Sequence, residues 1–167
     1  MILCSISDKK DFMNKLLAGD CFYSFLLKEA SISGFVPLLI DGRINTAFFS
    51  SEDADSAHFL EEEYACWSDI RPICFDFIKG KRTPTRFQFI LYLKSDAVNQ
   101  LLAKEQLTKE SVMVQNFVLN IKYEQGTINI TSGVNYSAFT LDKQAEQLWD
   151  RTLMKFLNQK QISYTLE

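Results

Sequence analysis

The sequence predicts an α+β fold, a mainly antiparallel or mixed sheet of hairpins packed against several amphipathic helices, in a single domain over residues 1–167 that closes with a C-terminal helix. Three observations lead there. The hydrophobic period switches between helical and extended along the chain, most clearly from Trp67 to Lys94. Extended segments arrive in hairpin pairs instead of alternating singly with helices, which disfavours a doubly wound parallel sheet. No repeat, linker or low-complexity stretch divides the chain. With 47% apolar and 13% aromatic residues, 14 of them Phe, the 167 residues can supply a substantial core, because each ring buries about 150–250 Å².

Met1 to Ile6 reads as a short strand. Ser7 or Asp8 then caps a helix whose apolar positions Phe12, Met13, Leu16 and Leu17 end at Gly19. Phe22 to Ile32 and Phe35 to Ile40 read as extended, and Asp41-Gly42 offers a tight hairpin turn through positive φ, with Ile44 onward returning. Ser50 or Ser51 opens an acidic surface helix that runs to Tyr64 on a thin apolar face.

The segment from Trp67 to Lys94 carries the strongest pattern. Ile70, Ile73, Cys74, Phe77 and Ile78 fall at helical spacing, Asp69 is the expected cap, Pro72 suits the first turn, and Gly80 ends the helix. Phe87, Phe89, Leu91 and Leu93 then alternate as a strand. Ser95 caps a short helix carrying Val98, Leu101 and Leu102. Phe117 to Tyr123 and Ile128 to Ile130 form a hairpin around Glu124-Gln125-Gly126, with a further extended piece expected through Tyr136 and Phe139. Last comes a helix from an Asp142 cap to about Asn158, with Ala145, Leu148, Trp149, Thr152, Leu153, Phe156 and Leu157 on one stripe.

Charge is unevenly distributed. The net charge of −3 provides no general attraction to nucleic acid or anionic lipid, so such a partner must meet a local patch. Glu52, Asp53, Asp55, Glu61, Glu62, Glu63 and Asp69 lie in a stretch without Lys or Arg, whereas Lys79 to Lys94 contains cations and no acid. Two solvated surfaces would also account for this. Cys4, Cys21, Cys66 and Cys74 show no CxxC spacing, and neither a leader pattern nor a run of the roughly 18–20 apolar residues that a membrane span needs is visible. The expectation is a cytoplasmic protein with reduced cysteines and no membrane partner, so Asn129-Ile130-Thr131 is an incidental glycosylation match.

Lys79, Lys81, Arg82 and Arg86 form the leading candidate site, for an anionic ligand or a protein partner. Arg71 is the further candidate, either for ligand or for pairing with an acid among Glu61 to Glu63. Structural needs compete: Gly80 stands where a helix cap belongs, and Lys79 and Lys81 complement the negative end of the helix dipole. The order helix, glycine, basic loop, strand is the reverse of a phosphate loop. Trp67 is expected in the core or at a hinge. His58 is the only histidine. On one continuous helix Cys66 would lie about 12 Å from it along the axis, too far for a catalytic pair, and His58, Cys66 and Cys74 match no zinc spacing. No metal, cofactor or catalytic residue is assigned.

Trp67-Ser68, Ile70-Arg71-Pro72, Cys74-Phe75, Ile78-Lys79-Gly80-Lys81, Thr83-Pro84, Phe139-Thr140-Leu141-Asp142-Lys143 and Trp149-Asp150 together resemble an uncharacterised family of proteins from anaerobic Firmicutes. The likeness also takes in Asp41-Gly42 and Leu119-Asn120-Ile121. It implies a bacterial cytoplasmic protein and carries over no functional residue. A looser likeness to DNA sliding-clamp domains, which also combine helices with antiparallel hairpins, rests on fold analogy. The leading expectation is a non-enzymatic binding or accessory protein. The alternatives are a small-molecule enzyme built from scattered carboxylates and Arg71, or a clamp-like module that meets nucleic acid through the basic loop.

Overall fold

The structure, a computed structural model, describes residues 1–50 and 52–167. Its strands are β1 (Leu3–Ile6), β2 (Phe25–Ser33), β3 (Pro37–Asp41), β4 (Ala65–Cys66), β5 (Arg86–Leu93), β6 (Val114–Glu124), β7 (Thr127–Tyr136) and β8 (Tyr164–Leu166). They form one open sheet in the order β3-β2-β5-β6-β7-β1-β8, with β4 added to β2, and every pairing is antiparallel. The helices are α1 (Lys9–Leu17), α2 (Ser56–Leu60), α3 (Trp67–Ile78), α4 (Ser95–Lys104), α5 (Lys109–Val112) and α6 (Gln144–Gln159). The fold class is therefore α+β, as the hairpin arrangement predicts. Among the described residues no helix is long and apolar enough to cross a membrane.

Alternation gives the sheet two unlike faces. Leu27, Ala30 and Ile32 of β2 pair through the sheet with Leu91, Phe89 and Phe87, then with Leu119, Ile121 and Tyr123. This face holds the core with Phe12 and Leu16 of α1, Trp67 and Cys74 of α3, Val98 and Leu102 of α4, and the stripe of α6. Both tryptophans satisfy their one donor while packing on rings. The Trp67 indole N–H donates to the Leu16 carbonyl at 2.9 Å and its ring lies 5.1 Å from Phe89. Trp149 donates to the Val118 carbonyl at 2.8 Å and stacks on Phe117. The opposite face carries half-buried Ser31, Gln88, Asn120, Lys122, Asn129 and Thr131, with Gln88 donating to Asn120 at 2.9 Å.

Several sequence expectations shift. The hairpin between β2 and β3 turns at residues 34–36, where Gly34 N–H reaches the Val36 carbonyl at 3.3 Å, and not at Asp41-Gly42. Gly42 is required by a close approach: a Cβ there would stand 1.7 Å from the Leu27 carbonyl oxygen. Its own N–H bonds the Lys28 carbonyl at 3.0 Å and its carbonyl accepts from Ala65 at 2.8 Å, so β3 and β4 share one edge of β2 on either side of it. The expected acidic helix reduces to α2, because the chain turns at 61–63 and returns as β4; Ser51, one of the two proposed starts, lies outside the described residues.

The start of α3 is Trp67, with Cys66 at the cap position, so Asp69 lies in the first turn and Pro72 in the second. Ile73 faces solvent, while Trp67 and Cys74 are buried. Ser95 is the first residue of α4 and does not cap it. Glu62 does so from a distance, accepting from the Ser95 N–H at 2.9 Å and its hydroxyl at 2.8 Å. Asp142 does accept from Gln144 N–H at 2.8 Å before α6. At the β6–β7 turn Gln125 and Gly126 both have positive φ, the requirement of a tight two-residue hairpin. Phe139 is exposed and outside any strand, whereas β8, α5 and its Thr108–Ser111 capping box carry no pattern that the sequence reading recognised.

Candidate functional site

Where α1 runs beside the C-terminal end of α3, side chains leave a groove of about 860 Å³. Met13 and Leu17 come from α1, Phe75 and Ile78 from α3, and Pro84, Phe87, Tyr123 and Ile128 from the loop and sheet. Helical spacing on α1 and α3 places these apolar residues on facing sides, and the stacked rings of Phe87 and Tyr123, 5.0 Å apart, form part of the floor. Lys9, Lys10 and Lys79 stand among the polar residues of the lining, as do Asp8 and Asp11. Both acids are engaged: Asp8 caps α1 through the Asp11 N–H at 3.0 Å, and the Asp11 carboxylate meets Lys15 at 2.8 Å. Lys9 donates to the Gly126 carbonyl. Lys10 forms no ion pair among the described residues.

The five residues expected to bind a ligand do not converge on this groove. Lys79 lines it, 3.1 Å from Asp76 and with its ammonium 5.8 Å from the centre of the Phe75 ring. Lys81 and Arg82 are exposed on the loop outside the wall. Arg86 opens β5 opposite Glu124, whose carboxyl is held below its ordinary range chiefly by the hydrogen bond from Lys122, with the Arg86 charge adding to it. Arg71, 3.2 Å from Asp20, lies at the other end of α3, about 12 Å from Lys79 along the axis. The sequence predicts α1 itself but not its place beside α3: Lys10 and Met13 join the basic loop only through tertiary packing.

A second cluster forms where the acidic segment doubles back. The turn at 61–63 ends α2 and brings His58 to the start of α3, with Nε2 2.8 Å from Asp69 Oδ2. One ligating atom from each of His58, Cys66 and Asp69 lies within 4.8 Å of the others. The 12 Å separation expected from a continuous helix therefore disappears, and Asp69 takes the place imagined for Cys74. Cys74 is fully buried, and burial pushes its thiol up to about 12. Burial also raises the half-buried Cys66 thiol, while Lys94 opposes the shift.

The family described as a family of unknown function, DUF5721, matches residues 15–165. The chain belongs to that family. The DUF5721 match spans β2 through β7, α3 and the basic loop, and it includes His58, Cys66 and Asp69, whereas Lys9, Lys10 and Met13 precede it. No curated protein and no solved structure matches the chain.

Proposed function

We propose that this protein is a non-enzymatic binding protein whose α1–α3 groove holds an amphiphilic anion, a molecule with an apolar body and a terminal carboxylate or phosphate. The carrying observation is the groove itself: its volume of about 860 Å³ falls within the range of small-molecule sites, and an apolar floor meets lysines at the rim. Lys10 and Lys79 are the head-group partners in this reading. Lys81, Arg82 and Arg86 stand outside the wall and add a positive field that draws the anion in. Arg71, engaged with Asp20, holds the end of α3 to the segment after α1. A bacterial cytoplasmic location, which the family resemblance implies, belongs to the same reading.

The test is calorimetric titration with decanoate and with decanol. Decanoate is expected to bind more tightly by about fivefold, equivalent to about 1 kcal/mol from partly exposed charges. Lys10→Ala with Lys79→Ala should erase the difference, and Met13→Glu, in the wall, should abolish binding of both. Failure of decanoate to bind, or binding that Met13→Glu leaves intact, would refute the reading.

A further inference from the structure

The geometry points to a binding site for one divalent transition-metal ion of the zinc class, held by His58, Cys66 and Asp69. Imidazole nitrogen, thiolate sulfur and carboxylate oxygen are the donors that zinc takes, and three protein donors leave a tetrahedral position for water. Around an ion with bonds of about 2.0–2.3 Å, tetrahedral ligands stand about 3.3–3.8 Å apart. The observed triangle, with mutual separations up to 4.8 Å and the His58–Asp69 edge at 2.8 Å, brackets those spacings.

A His–Asp hydrogen bond alone explains less. It leaves unexplained why a thiol shares the triangle, and a thiol adds little to such a pair but is a strong zinc ligand. Cys66 occupies the cap position of α3, a helix of 12 residues. The charges of Glu61 and Glu62, in the turn before β4, add negative potential for a cation, with Lys94 the opposing charge. The imidazole is oriented from behind: Phe59 lies edge-on to it at 5.0 Å and is itself stacked on Phe49 at 5.1 Å. Two of the ligands are fixed at the β4–α3 junction, and His58 alone comes from a separate element.

Zinc titrated calorimetrically into the metal-free, reduced full chain should bind with a stoichiometry of one. Cobalt should give a sulfur-to-metal charge-transfer band in the near ultraviolet together with tetrahedral visible bands. Cys66→Ser should remove the charge-transfer band. His58→Ala and Asp69→Asn should each weaken zinc binding by at least about tenfold. Cys21→Ser, outside the cluster, should change neither readout. His58 is exposed, so its replacement does not threaten the fold, and circular dichroism of each variant checks that the chain is folded. Absence of zinc binding, or binding whose affinity and cobalt spectrum survive both Cys66→Ser and His58→Ala, would overturn the assignment. The outcome is independent of the groove, which shares none of these three residues.

Discussion

Cys74 shows how one buried atom sets a response to pH. Desolvation lifts this thiol from an ordinary 9.0 to about 12. Between those values the unfolded chain has lost a proton that the folded chain retains. Stability therefore falls as pH rises, by about 1.4 kcal/mol per pH unit for this group. Urea unfolding at about pH 8 and about pH 10 should show the wild type losing about 1.4 kcal/mol more than Cys74→Ala. Equal losses would place the thiol in a wetter site. Gly42 makes the opposite case, a residue whose requirement is spatial. Its neighbour Asp41 suggests a turn, and the pair reads as one in sequence, yet neither Asp41 nor Gly42 has positive φ. Gly42→Ala must displace β2 or β3 and should cost more than about 2 kcal/mol in thermal or chemical unfolding. A variant as stable as wild type would refute the close-approach account.

The helices differ in how much of each was written in its own residues. The stripe of α6 was legible because Ala145, Leu148, Trp149, Leu153 and Leu157 recur at the helical period and are buried. The core face of β5 was legible for the same reason at period two. The ends were harder. Glu62 caps α4 across 33 residues of sequence, and no local pattern announces such a partner. Glu62→Gln should destabilise the protein by about 1 kcal/mol, the usual worth of a helix cap, and raise amide exchange at Ser95, Asp96 and Ala97. Unchanged exchange would mean that α4 is capped by other means. The acidic stretch before α3 illustrates the same difficulty. Its thin apolar face supports a helix only to Leu60, and the three consecutive acids after it mark the turn that ends it.

For the whole molecule, the topology decides what the charges and pockets become. The switch of period from Trp67 to Lys94 predicts a helix, a loop and a strand correctly, but the groove depends on an element far from it in sequence and the His58, Cys66 and Asp69 cluster on the turn just before it. The groove needs α1, whose Met13 stands 62 residues before Phe75. The metal cluster needs a reversal at 61–63 that a continuous helix would have forbidden. The basic loop was visible as composition, and its division into Lys79 inside the groove and Lys81, Arg82 and Arg86 outside it was not. An open sheet must also end somewhere. At one margin the outer edge of β2 is not covered by a single long strand. Short β3 and shorter β4 divide it, and Gly42 sits at the step between them, its carbonyl accepting from the Ala65 N–H. A second molecule seeking to extend the sheet there finds a broken template with Pro37 at one end and a step in the middle. Such an edge resists the strand-to-strand stacking that begins fibrils.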